Sequence, residues 1–205
     1  MKDLVILVAD LDTEFALRGL LSRYQSLIIR EISFDIFRHP RRDPGCLLES
    51  VDFLRGFTRQ YHRAIVIFDH EGSGREDTRP ETLEQQLNDR LAITGWQTNA
   101  STVIIQPELE IWVWSASPQV DAALGWQGQN PSLRQWLMSE GWISALDQKP
   151  ERPKEALHAS LRIVRKVSSA SLFEQLARTV SFRGCTDIAF QRLLSTLRNW
   201  FAPIQ

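Results

Sequence analysis

Cysteine is scarce in this chain. There are two in 205 residues, Cys46 and Cys185, far apart and without metal-ligand spacing. That argues against a thiolate metal centre, and reduced thiols in the cytoplasm are the expectation. Long apolar runs are missing as well: none approaches the roughly 18–20 residues that span a bilayer, so no membrane partner is expected. The N-terminus, MKDLVILVAD, has one lysine, an acid and a short apolar run ending in another acid. It reads as a first strand and not as a signal peptide. Internal repeats and low-complexity tracts are absent too. What is present is an ordinary apolar content of 43%, enough for a real core.

The net charge is only −1, but it is unevenly spread. From Arg152 onward nine Lys/Arg stand against three Asp/Glu, about +6, which leaves about −7 for the preceding residues. Asp69, Glu71, Glu76, Asp77, Glu81, Glu84 and Asp89 form one acidic cluster, and Arg38, Arg41 and Arg42 a basic one. Such a division suits a cation-dependent enzyme acting on a polyanion; solvated faces are the plainer explanation.

Leu4 to Ala9 is a continuous apolar run, as in a strand covered on both faces. Asp12 can cap a helix whose apolar face is Phe15, Leu17, Leu20, Leu21 and Tyr24. A second strand is predicted over 28–37, and a helix over the apolar positions 47–57. A third strand spans 64–68, a helix opens at Pro80, and a fourth strand spans 102–105. PELEIWVW then predicts a helix from Pro107. Strand followed by helix, four times over, predicts an α/β fold with a mainly parallel four-stranded sheet and helices on both faces. Residues 1–115 make that core. Residues 116–205 read as a helical extension packed on it, with a helix opening at Asn130-Pro131, a capping box at Ser171 and Glu174 and a helix capped by Asp187.

In open α/β sheets ligands gather beyond the carboxyl ends of the strands. Three of the predicted strands end there in acids. The first leads to Asp10, Asp12 and Glu14, the third to Asp69 and Glu71 in AIVIFDHEGSG, and the fourth to Glu108 and Glu110. The second ends in Arg38, His39, Arg41 and Arg42. Crowded carboxylates repel unless a cation sits among them, and all-oxygen sites suit Mg²⁺ or Mn²⁺. Asp69 and Glu71, two apart in an extended segment, would point the same way. Gly72 and Gly74 can cradle a phosphate through backbone N–H groups; here they read rather as the turn that releases the chain.

VADLDTEFAL and IFDHEGSG together resemble the two acidic motifs of the Toprim domain, a compact four-stranded, Rossmann-like α/β unit. IQPELEIWVW, RHPRRDPG and SFRGCTDIAFQRLL resemble small bacterial Toprim-like proteins related to phage-defence nucleases. Asp10 stands where that family has Glu, Leu11 where it has Gly, and Glu71 where it has a second Asp. The resemblance implies a metal-dependent nuclease in which Asp10, Glu14, Asp69 and Glu71 are catalytic, Asp10 orienting or deprotonating the attacking group. The same four residues, with Glu110, would hold Mg²⁺ or Mn²⁺. His39, Arg41 and Arg42, supplemented by Lys154, Arg165 and Lys166, would contact phosphates. Nucleic acid is the implied substrate, and an ATPase or another defence-system subunit the implied partner. Two alternatives stand beside this. One is a non-catalytic Toprim-like module binding nucleic acid, a nucleotide or a protein. The other is a haloacid-dehalogenase-like phosphatase with Asp10 as nucleophile and Asp12 as acid/base.

Overall fold

Four strands lie parallel in the order β2–β1–β3–β4: β1 is Lys2–Val8, β2 Phe34–Arg38, β3 Tyr61–Asp69 and β4 Ala100–Ile105. The structure, a computed structural model, describes residues 1–203. The register sets Val8 beside Arg38 and Ile67, and Asp69 beside Ile105, so the carboxyl ends of all the strands reach one edge.

Period-two alternation sends the two sets of strand side chains into two cores. Val5, Leu7, Val66, Phe68 and Ile104 pack under α3 (Arg42–Arg55) and α4 (Pro80–Leu91), through Leu47, Val51, Leu54, Leu83 and Leu87. Leu4, Ile6, Val8, Ile65, Ile67 and Val103 face the other way, under α1 (Leu11–Leu21) and the C-terminal helices. These strands are therefore apolar on both faces, as parallel strands between helical layers must be. Each fully buried Leu, Ile or Val contributes about 1.5–3 kcal/mol.

The C-terminal part adds α5 (Pro118–Leu124), α6 (Leu133–Ser139), α7 (Pro153–Ile163), α8 (Ala170–Thr179) and α9 (Ile188–Trp200), after a short α2 (Tyr24–Leu27) earlier in the chain. It shares one continuous core with the sheet, since Leu172, Phe173, Leu176, Phe190 and Leu193 belong to the same cluster as Ile6 and Leu17. α1 and α8 approach closely because Gly19 faces Ala177. A Cβ on Gly19 would stand 2.6 Å from the Glu174 carbonyl oxygen. Trp96, Trp114 and Trp126 are buried, while Trp112, Trp136, Trp142 and Trp200 pack at the core's margin. Among the described residues no helix is long and apolar enough to cross a membrane.

Several local expectations change: the helix expected to open at Asn130-Pro131 begins at Leu133, capped by Ser132. The second strand begins at Phe34, because Ile28 ends α2 in the left-handed region (φ 60°) and donates its N–H to Gln25. The cap of α1 is Asp10 and not Asp12: Asp10 Oδ1 accepts the Thr13 N–H at 2.8 Å. After Pro107 only a 3₁₀ turn forms, Leu109–Trp112, and Lys149 Nζ takes the Ile111 carbonyl at 2.9 Å. The cap of α8 is Ser169, two residues before the predicted box, and Glu174 pairs with Arg178 instead.

Candidate metal centre at the carboxyl edge of the sheet

Asp69 is the last residue of β3, and its side chain turns inward, 9% exposed. Its backbone N–H donates to Asp43 Oδ1 at 2.9 Å. Its own Oδ1 is buried and meets no hydrogen-bond donor among the described residues. Beyond β4 the chain is extended at Glu108 and then coils into the 3₁₀ turn that carries Glu110. Leu109 and Ile111 of that turn are buried in the core, which holds Glu108 and Glu110 in place at 6% and 4% exposure. Asp69, Glu108 and Glu110 each present an oxygen within 4.8 Å of the others.

Among the described residues, Lys154 is the cation that reaches this group. Lys154, in the first turn of α7, places Nζ 3.5 Å from Glu108 Oε2 and 3.9 Å from Glu110 Oε1. Its backbone N–H donates to Glu108 Oε1 at 3.1 Å. Burial disfavours the Lys154 ammonium, but Glu110, Glu108 and Asp69 outweigh it and its pKa is raised.

The carboxyl groups are pushed the same way. Burial raises the Asp69 pKa far above the usual carboxylate range, with Asp43, Glu110, Asp10 and Glu108 adding to it. Burial takes Glu110 up to about 7 despite Lys154, with Glu108 and Asp12 adding. Glu108 rises through burial and the charge of Glu71, against the pull of Lys154. Asp43 and Asp12 also rise through burial, with the charge of Asp10 adding in both; the hydrogen bond from the Asp69 N–H pulls Asp43 the other way. A single ammonium thus faces an array of acids that repel one another. Three convergent carboxylates, one with an orphaned oxygen, can hold a metal ion.

The sequence-derived site residues fall into different places. Asp69 and Glu110 come together, joined by Glu108. Asp10 adds its charge to Asp69 while one oxygen caps α1. Glu14 sits apart, paired with Arg18 at 2.8 Å and Arg38 at 3.1 Å. Glu71 is exposed. Strand pairing ends at Asp69, the His70 and Glu71 N–H groups donate to Ile105 and Pro107, and the chain turns. Glu71 is thus not one of the three converging carboxylates, although its charge acts on Glu108.

Among the expected phosphate contacts, His39 is buried. It packs on Phe53, accepts the Arg41 N–H through Nδ1 and sets Nε2 3.5 Å from Glu49. Burial lowers its pKa. Arg41 pairs with Glu49, and Lys166 donates to the Ala123 carbonyl at 2.9 Å. Arg42 and Arg165 are exposed. Part of the C-terminal basic charge is engaged within the molecule, Arg192 with Glu84 and Arg198 with the Leu27 carbonyl, while Arg178 pairs with Glu174 at the surface. Glu84 itself is structural, accepting the Ile104 N–H of β4 at 2.8 Å.

Asp43 is the residue that sequence reasoning missed. It lies in RHPRRDPG, directly after Arg41 and Arg42. Its position just past the carboxyl end of β2 was the signal that could have found it. No family model matches the chain, and neither does any curated protein or solved structure with which it was compared.

Proposed function

We propose that this protein is a divalent-cation-dependent phosphodiesterase that acts on nucleic acid. The observation that carries the reading is the trio of Asp69, Glu108 and Glu110, buried carboxylates with oxygens within 4.8 Å of one another. Acids crowded in this way stay ionised at neutral pH when a cation lies among them. Oxygen donors alone favour a hard ion, Mg²⁺ or Mn²⁺. When bound, such an ion polarises a phosphate and acidifies a water. Asp69, Glu108 and Glu110 would hold it. Asp10 has one oxygen committed to the Thr13 N–H and keeps the other to orient a water or take its proton. Arg42, beside Asp43 in the chain and exposed, supplies positive charge at the rim. The Toprim resemblance supports nucleic acid as the polyanion.

Lys154 favours a second reading. Its ammonium already faces Glu108 and Glu110, and such a closed ion-pair network suits a non-catalytic module that binds nucleic acid, a nucleotide or a partner protein. Calorimetry separates the cases. Mg²⁺ or Mn²⁺ is titrated into the wild type and into an Asp69→Ala/Glu110→Ala variant. Binding lost in the variant supports the metal site; equal binding, or none in either, removes it. Single-stranded and duplex DNA and RNA are then incubated with Mn²⁺. Metal binding without cleavage selects the binding module.

A further inference from the structure

The loop between β3 and α4 is built around a carboxylate that belongs to the chain itself. The N–H groups of Gly72 and Gly74 donate to the same oxygen, Glu76 Oε1, at 2.9 and 3.1 Å. Both glycines have φ of +83°, a conformation that a side chain would strain. A Cβ on Gly74 would meet nothing within 4 Å, so backbone shape and not crowding requires glycine there. Two N–H groups, alternate along the chain and aimed at one oxygen, make a small concave anion seat of the kind that backbone nests provide.

The nest is held from below. Ser73 is 2% exposed and donates its N–H to the His70 carbonyl at 3.2 Å, while its Oγ accepts the Arg75 N–H at 3.2 Å. His70 is buried and joins its Nε2 to the Thr78 carbonyl at 2.8 Å. The donors are therefore preorganised, which lowers the ordering cost of binding. The occupant is different in character, because Glu76 is exposed and free to swing into solvent. Its own N–H, with those of Gly74 and Gly72, holds its carboxyl below the usual range, as expected of an anion in a nest.

Gly72 lies next to the acidic site, since a Cβ on it would stand 3.9 Å from Asp43 Oδ2. We propose that the amides of Gly72 and Gly74 form a phosphate subsite and that Glu76 is its resident, displaceable occupant. Phosphate and carboxylate oxygens ask the same of backbone N–H groups, and phosphate brings the larger charge. Anion binding by the nest stands on its own geometry. Its use as a seat for a substrate phosphate rests on the phosphodiesterase reading.

The test uses ¹⁵N-labelled full-length protein in EDTA, titrated with inorganic phosphate. In Glu76→Ala the Gly72 and Gly74 amide resonances should shift saturably, with a Kd about tenfold below that of the wild type. Silent amides in that variant overturn the proposal. So does an equal gain in Asp77→Ala, which removes a neighbouring charge but no nest occupant. If Glu76→Ala loosens the loop, seen as altered His70 and Ser73 resonances before phosphate is added, Glu76→Gln decides. It keeps a neutral, weaker occupant and should gain about threefold; no gain overturns the proposal. Phosphate binding with no Mg²⁺ binding in any variant upholds the nest and removes the phosphodiesterase reading. Mg²⁺ binding with silent glycine amides does the reverse.

Discussion

Asp43 accepts the backbone N–H of Asp69 at 2.9 Å, so the last residue of β3 is fixed by a carboxylate from the first turn of α3. The same contact sets two acids side by side, and each carries a raised pKa. Hydrogen bond and repulsion can be separated by substitution. Asp43→Asn keeps an acceptor and removes the charge, so the metal-free protein should gain about 1 kcal/mol. Asp43→Ala leaves a buried N–H unpaired and should lose about 1–3 kcal/mol. Urea unfolding in EDTA reads both, and losses of equal size would contradict the account.

The metal-free protein should weaken as pH rises from about 4.5 to about 7. Glu110 titrates near 7 in the folded state against an ordinary 4.5. Below pH 4.5 both states carry the proton and Glu110 costs nothing. Between these values the unfolded chain releases the proton first, so folding stability falls as pH rises. Above 7 the loss is complete, about 3 kcal/mol. Unfolding of the wild type and Glu110→Gln in EDTA from pH 5 to pH 8.5 checks this. The stability difference between the two should grow with pH in favour of Glu110→Gln, and a difference independent of pH would refute it.

Lys154 competes with any ion that enters among Glu108 and Glu110. Lys154→Met removes that competitor, and Mg²⁺ affinity should rise about tenfold, or 1.4 kcal/mol. In EDTA the same variant leaves its acid partners uncompensated and should be less stable than the wild type. Calorimetry and thermal unfolding should therefore move in opposite directions. A variant that loses both affinity and stability would identify Lys154 as a mere structural brace.

Gly45 reports on the placement of the site. A Cβ there would fall 1.9 Å from His39 Nδ1, so the imidazole must leave its pocket or the start of α3 must shift. Gly45→Ala should cost about 1–3 kcal/mol and weaken Mg²⁺ binding, because Asp43 and Gly45 share the first turn of α3. Unfolding and calorimetry on the same preparation check the two effects together.

The strands were legible in the sequence wherever burial on both faces writes a continuous apolar run. Val5 to Val8 and Ala64 to Phe68 are of this kind, and so is the topology they imply. The second strand was less so, because the positive φ of Ile28 is a backbone choice that no apolar pattern records. The same holds for the site. Asp69, Glu108 and Glu110 were visible as acids at strand ends, and their joint edge follows from parallel pairing. Glu14 carried the same residue type and pairs with arginines instead, while Glu71 stays exposed and acts on Glu108 only through its charge.

The sequence by itself determined the layers, the parallel sheet and the edge at which acids accumulate. Those follow from repeating local patterns and from the handedness of strand–helix connections. Only the tertiary structure decided which acids meet, because side-chain direction past a strand end depends on irregular φ/ψ and on distant partners. Arg18 and Arg38 draw Glu14 away, and the turn after His70 exposes Glu71. Asp43 comes in from α3 to hold Asp69, and Lys154 arrives from α7 to balance Glu108 and Glu110. Apart from the i,i+4 pair of Glu14 and Arg18, each of these is a long-range contact or a loop torsion, which composition and spacing do not encode.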